Sequence, residues 1–360
     1  MNNFDEYIRQ REPEQQEKGY IWQIAIGLQE VDGLTPSAYL IETAKQNIEG
    51  DITFDEVKSR IDRYYKTLSG RQVNTDDRTE EADKVSAAIA EILSEKTFSF
   101  SPAEYLNIHR RLFSGIYKFA GQIRDYNITK SEWVLNGETV LYASALNLRE
   151  TLEYDFKEEK AFDYKGLSNQ QIIEHIARFV AYLWQIHIFG EGNTRTTAVF
   201  LIKYLRKLGF KDINNDLFAE HSWYFRNALV RANYEDITQG IHKTDKYLIR
   251  FLSNLLLKEN NILKNRELNV SFVAPVNASA KLGVNDKKLG VKLGVNQSKI
   301  IDIIQSSSNV TIVEIAQLLN ISTTATENNI KKLKSLGILS REGADKNGHW
   351  IINNANHELN

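Results

Sequence analysis

The stretch QIHIFGEGNTRTTAVF, residues 185–200, sets one histidine shortly before a Gly, Glu, Gly, Asn cluster and then turns into an apolar run. Upstream, QIIEHIARFVAYLWQIHIF puts Ile172, Ile176, Phe179, Val180 and Leu183 on one stripe at helical spacing. Downstream, TTAVFLIKYLRKLGF reads as a second helix that closes at Gly209 with Arg206 and Lys207 in its last turn. A short connector between two buried helices therefore carries His187, Gly190, Glu191, Gly192, Asn193, Thr194 and Arg195. The first-turn N–H groups of a helix lack internal partners and carry the positive end of its dipole, so this start suits an anion such as phosphate. Gly190 and Gly192 permit a tight, left-handed loop. Asn193 is the candidate cap of a helix beginning near Thr194, and Arg195 adds a charged fork. Glu191 stands where Mg²⁺ would take one carboxylate plus phosphate oxygens. His187 is near enough to deprotonate a hydroxyl attacking the phosphorus. The stretch holds no GxxxxGK[ST] run, which excludes a Walker-type loop as the source of the activity. Singly, each residue has a blander reading, since a histidine after an apolar helix is commonly structural and EGN is a common loop tripeptide. As one ordered string between two helices, they favour phosphate chemistry.

The rest of the chain is read as mainly α. Its 360 residues allow two or three domains. Lys and Arg number 45 against 47 Asp and Glu, so no global field points to nucleic acid, membrane or an acidic substrate. With no cysteine, disulfides, thiolate catalysis and Cys-ligated zinc are excluded, and a reducing cytoplasm fits. The charged first thirty residues do not form a signal peptide, and no run approaches the roughly 18 to 20 apolar residues of a membrane span. Prolines stand only at 13, 36, 102 and 275, leaving long stretches free of helix breakers. SWYFRNALVRANYEDI is expected to form a third helix. TKSEWVLNGETVLYA is the exception, because Trp133, Val134 and Leu135 precede Asn136-Gly137 while Val140, Leu141 and Tyr142 follow, a hairpin pattern.

The string at 187–195 resembles the signature of the Fic family, His-x-Phe-x-Asp/Glu-Gly-Asn-Gly-Arg-x-x-Arg, through His187, Phe189, Glu191, Gly192, Asn193 and Arg195. SPAEYLNIHRRLFSGIYKFAGQIRDYNI is similar to the family's upstream segments and LVRAN to a downstream one, covering about residues 85–255. The resemblance implies a Fic helical core with a β-hairpin flap and transfer of AMP from ATP to a hydroxyl of a target protein. It implies His187 as general base, Glu191 as the Mg²⁺ ligand, and Gly190, Gly192, Asn193, Thr194 and Arg195 around the phosphates. Phe189 resembles a buried anchor, and Leu229 and Asn233 match positions at the adenosine end. The flap, Trp133 to Tyr142, resembles one that binds a target segment by strand addition. Thr194 replaces the usual third glycine, Ile188 a commoner proline, and Ala198 the second arginine, which bears on ATP orientation and inhibition. Many relatives carry an inhibitory Ser/Thr-x-x-x-Glu-Gly/Asn helix, and LIETAKQNIEGDITFDEVKSRIDRYY resembles it, with Glu49-Gly50 as the Glu-Gly and Lys45 at the Ser/Thr place. Glu49 could act sterically, reach Arg195 or be vestigial, and partial inhibition is the expectation. A Glu before Gly at a helix end is also ordinary C-cap chemistry.

Four segments follow: an N-terminal helical region at 1–84, the core at 85–262, a linker at 263–297 in which KLGVN recurs at 281–285 and 292–296, and a winged helix-turn-helix at 298–360. Its third helix is expected near Thr323 to Leu336 and its wing from Ile338 to Asn353. Across 298–353, Lys299, Lys331, Lys332, Lys334, Arg341 and Lys346 are nearly balanced by Asp302, Glu314, Glu327, Glu342 and Asp345, far from a basic stripe. DNA through this module and a homodimer are the partners the tail leaves open beside a protein target. Two classes of function compete: a protein adenylyltransferase, and a DNA-binding regulator whose core is a nucleotide sensor or scaffold. Transfer of another phosphate-containing group would use the same base and loop.

Overall fold

The computed structural model describes residues 2–69, 78–210 and 216–272, and, in the tail, 297, 300–301, 303–304, 310–319, 321–335, 338–342 and 349–352. The chain divides into two compact units, Met1–Asn277 and Ala278–Asn360. The expected boundary at 84/85 is not one between units.

In the first unit the helices are α1 (Asn2–Arg9), α2 (Pro13–Gly27), α3 (Ala38–Glu49), α4 (Phe54–Ser69), α5 (Thr79–Ser94), α6 (Pro102–Phe113), α7 (Leu148–Ala161), α8 (Asn169–Ile186), α9 (Asn193–Lys207), α10 (Asp216–Asn233) and α11 (Lys246–Leu257). Their starts are written locally. Ser37 Oγ accepts the Leu40 amide, Ser101 Oγ accepts that of Glu104 ahead of Pro102, and Ser168 forms a reciprocal capping box with Gln171. The centre is α9, in which every residue from Asn193 to Leu205 is buried. Around it pack α5, α6, α8 and a 3-10 turn at Leu28–Asp32. Even Lys203 is enclosed: its ammonium and the Arg206 guanidinium donate to the Ile92 and Leu93 carbonyls, satisfying the end of α5. Where α2 meets α10 the backbones touch, since a Cβ on Gly27 would lie 2.4 Å from Ala219 Cα. One apolar core runs from Phe4 to Leu268.

Three expectations need correction. The third helix does not run to Ile237: α10 kinks at His221, which has non-helical torsions, and ends at Asn233, while Asp236 caps a separate 3-10 turn at Ile237–Gln239. The flap forms no β-ladder among the described residues. Trp133–Leu135 curl into a 3-10 turn closed by Asn136 in the left-handed region, and the Glu132 amide bonding to the Glu138 carbonyl is what remains of a hairpin. Below it, the buried Glu132 carboxylate anchors the turn by taking both Arg226 Nη1 at 2.6 Å and Nη2 at 3.1 Å. Residues 263–272, read as linker, are packed: Leu268 is fully buried and the Val270 amide donates to the Val134 carbonyl at 2.8 Å. The recurring KLGVN units lie outside the described residues.

In the second unit, α12 (Ile312–Leu319) and α13 (Thr323–Ser335) precede strands β1 (Leu339–Glu342) and β2 (His349–Ile352), paired antiparallel with Arg341 opposite Trp350. Residues 297, 300–301 and 303–304 are also helical. Ile300, Ile304, Ile315, Ile330, Leu333 and Leu339 close over Trp350, whose indole donates to the Val310 carbonyl. This is the winged helix that the sequence implied.

Candidate active site

α8 ends because His187 takes left-handed torsions, φ 49° and ψ 52°, and its amide turns back to the Trp184 carbonyl. That turn lifts the imidazole off the helix path. Its Nδ1 lies 3.3 Å from the Trp184 carbonyl oxygen, which can only accept, so Nδ1 carries the proton and Nε2 keeps its lone pair. Burial, and then the ammonium of Lys130, hold the imidazole pKa well below its ordinary value, so the ring is uncharged at neutral pH. Arg124 fixes the turn from outside, Nε donating to the His187 carbonyl and Nη2 to that of Ala143. Tyr142 lies over the ring at 4.2 Å between centroids, leaving His187 only 4% exposed.

The connector is held from beneath. Phe189 is fully buried and stacks on His109, centroids 3.7 Å apart. His109 Nδ1 accepts the Gly121 amide and Nε2 donates to the Glu191 carbonyl at 3.0 Å, a neutral tautomer that spans the loop. Burial, with a contribution from Arg195, lowers the pKa of His109 to about 4. Asn193 is not the cap expected of it. The N-cap is Gly192, at φ 76°, and Asn193 is the first helical residue, its side chain accepting the Phe189 amide and donating to the Phe189 carbonyl. Gly192 cannot carry a side chain, because a Cβ would fall 2.3 Å from the Phe113 ring. Gly190 packs beneath the Tyr126 hydroxyl and the Phe119 ring. The amides of Asn193, Thr194 and Arg195 thus stand in the first turn of α9, without helical partners.

Thr194 turns inward, where its hydroxyl accepts the Trp184 indole N–H at 2.9 Å. The extra Cβ therefore ties the loop to the helix that carries the base. Arg195 also departs from expectation. Its guanidinium is fully buried, with Nη1 on Gln29, Nη2 on Glu81 at 2.6 Å and Nε 2.8 Å from an Asp32 carboxylate oxygen. Glu81 also takes Arg78 and the Tyr117 hydroxyl, and although its burial works the other way, the hydrogen bonds from Arg195 and Tyr117 keep its pKa below the usual range. Glu191 points outward to Lys130, Nζ to Oε2 2.9 Å. Among the described residues no group of three or more potential metal ligands occurs.

Glu49 does not reach Arg195. Its carboxylate takes Tyr7 and Gln15 and pairs with Arg11, and Gly50 is an ordinary left-handed cap of α3. The acidic residue followed by glycine at a helix end that does reach the loop is Asp32-Gly33, a pair that the sequence reading did not single out. Leu229 and Asn233 lie buried on α10 against α8. The Asn233 amide donates to Ala181 and Leu229 carbonyls, while its Oδ1 has no hydrogen-bond partner among the described residues. Val134, Leu135, Val140 and Tyr142 are buried, whereas Trp133 is 51% and Leu141 84% exposed. Sequence reasoning passed over His109, Arg124, Lys130 and Trp184 as site residues, although all four lie within segments it singled out.

Residues 99–205 match the Fic/DOC family and residues 295–340 a family of winged helix-turn-helix DNA-binding domains. The chain thus carries a Fic/DOC domain followed by a winged helix-turn-helix. A probable protein adenylyltransferase of Sinorhizobium fredii is 30% identical over 138 residues, which span 38% of this chain and 66% of that relative. Among solved structures, the N-terminal FIC domain of Bep8 protein from Bartonella sp. 1-1C is 19% identical, with TM-score 0.38, over 49% of this chain and 82% of its own. A Fic family protein from Desulfovibrio desulfuricans G20 is 12% identical, with TM-score 0.37, over 94% and 97%. No described helix is long and apolar enough to cross a membrane.

Proposed function

We propose that the first unit is a protein adenylyltransferase that moves AMP from ATP to a hydroxyl side chain of a target protein. The observation that carries this reading is an uncharged imidazole, its Nδ1 tied to Trp184, at the threshold of the α9 amides. His187 Nε2 takes the proton of the target hydroxyl, whose oxygen bonds to the α-phosphorus as the bond to the bridging oxygen of the pyrophosphate breaks. Pyrophosphate leaves, and the proton passes from Nε2 to solvent. The first-turn amides face the oxygens on which charge develops. Asn233 Oδ1, a buried acceptor without a hydrogen-bond partner among the described residues, suits the amino group of an adenine. Glu191, one outward carboxylate beside a phosphate cradle, is the residue that would hold Mg²⁺, which supplies neutralisation of the polyphosphate. Tyr142 covers the ring, so the flap moves to admit a target. The Trp133, Val134 and Leu141 carbonyls are already taken by Asn269, Val270 and Gln185. A target is therefore read through the exposed side chains of Trp133 and Leu141 rather than by strand addition. Asp32 and Glu81, which draw Arg195 inward, act as a partial brake in place of Glu49.

The test is incubation with α-labelled ATP and Mg²⁺. Label on protein from wild type and none from His187→Asn supports transfer, and Asn is chosen because it tolerates the left-handed torsions. Equal label from both would sink the proposed base.

The match over 295–340 supports a second activity, DNA binding by the tail. Lys334 and Arg341 lie over the Trp350 ring, while Lys331 and Lys332 are exposed on α13. Retention on DNA that weakens with salt, with a shallower salt slope in Lys331→Ala/Lys332→Ala, is the expected result. Retention indifferent to salt and to both lysines would remove this reading.

A further inference from the structure

The cations around the base are not equally committed. Lys130, Arg226 and Arg124 all add positive potential at the His187 ring. Arg124 is occupied by backbone carbonyls, Arg226 by both oxygens of Glu132, and Arg195 by Gln29, Asp32 and Glu81. Lys130 differs. Its ammonium has three donors, and the partner found for it is Glu191, in a pair whose side chains are 27% and 49% exposed. Such an exposed pair contributes little to stability and exchanges readily. Its stem is nonetheless fixed in place, because the Lys130 amide donates to Thr139 Oγ1 across the base of the flap. An ammonium thus hangs over the outer edge of the α9 start, held by the carboxylate that the adenylyl-transfer reading assigns to the ion.

We propose that Lys130 is a phosphate-binding residue, which leaves Glu191 for the polyphosphate of an incoming nucleotide and supplies the mobile charge that buried Arg195 does not. Before nucleotide arrives, the same ammonium neutralises Glu191. On arrival, Glu191 is freed as the phosphates take the lysine, so the two exchanges reinforce each other. The bond from the Lys130 amide to Thr139 at the base of the flap also couples nucleotide binding to the segment that covers His187 through Tyr142. The assignment rests on the adenylyl-transfer reading for the nature of its ligand.

The test is calorimetric titration of the full chain with ATP and, separately, with adenosine, each with and without Mg²⁺, in wild type, Lys130→Ala and Lys130→Arg. One charge-assisted hydrogen bond lost corresponds to roughly a ten- to hundredfold weakening. Lys130→Ala should lose that much for ATP, keep wild-type affinity for adenosine and show a shallower salt dependence, and Lys130→Arg should recover most of the loss. A second variant, Glu191→Gln, releases the lysine and should bind metal-free ATP more tightly than wild type, an effect that vanishes when Lys130→Ala is added. ATP affinity unchanged in Lys130→Ala would overturn the role of Lys130 and leave the transferase reading standing. An equal loss for adenosine would also overturn it, by showing a collapsed flap. A wild-type chain that binds neither ligand would overturn both.

Discussion

Asp32 and Arg195 meet at 2.8 Å inside the protein, and they come from the two ends of the catalytic argument: a turn in the N-terminal helices and the loop that should receive phosphate. Arg195 is fully buried, with Glu81 as its second acid. If the pair draws Arg195 away from a nucleotide, Asp32→Asn should raise the rate of protein labelling from α-labelled ATP several-fold. Taking the half-buried Asp32 charge from a fully buried Arg195 also destabilises, by at most about 3 to 5 kcal/mol, so labelling is best measured well below the melting temperature. A variant that labels no faster while remaining folded would show that the contact is structural.

Glu49→Gln separates the two acid-glycine helix ends. Its carboxylate joins Tyr7, Gln15 and Arg11 and touches nothing of the loop among the contacts found. The variant should loosen α1, seen as faster amide exchange in residues 2–9, and leave labelling as it was. Faster labelling would restore Glu49 as the brake.

Gly192→Ala should be costly twice over. The residue sits at φ 76°, and the new methyl would meet the Phe113 ring at 2.3 Å. A loss of about 2 to 4 kcal/mol is expected from strain and overpacking together, along with loss of nucleotide binding. Urea unfolding checks the first and calorimetry the second, and a variant with the wild-type midpoint would contradict the packing described.

The histidines predict how stability varies with pH. His109 titrates at about 4 in the fold, below its ordinary value near 6.5, so the unfolded chain takes up its proton first as pH falls. Its contribution is complete above pH 6.5 and is lost progressively toward pH 4. His187, lowered in the same direction by burial, adds to the same trend. His109→Gln retains a donor for Glu191 and an acceptor for Gly121, and should reduce the slope of stability against pH in this window without abolishing it. An unchanged slope would mean that His109 is not neutral in the fold.

Much of this architecture was legible because it is local. The apolar stripe of α8, the basic end of α9 before Gly209 and the helix-helix-wing order of the tail are periodic or punctuated patterns that packing reinforced. Misreadings arose where a tertiary partner overrode a local preference. Asn136-Gly137 turns the chain as expected, yet Glu132 beneath it is claimed by Arg226 from α10, and the flanking residues curl instead of pairing. Arg195 carries the right chemistry for phosphate, but acids 163 and 114 residues earlier in the chain face it, and no spacing rule announces them. Thr194, in place of the usual glycine, gives the Trp184 indole an acceptor, a pairing that the family pattern does not contain.

The docking of residues 265–272 sets where the chain can be shortened. Ending it at 262, the limit suggested by composition, would strip Leu268 from the core and the Val270 amide from Val134, leaving the cover of the histidine without its outer support. Ending it at 272 keeps both, so a fragment of the first unit that behaves poorly at the shorter length and well at the longer one would owe the difference to residues that read as tether and serve as scaffold.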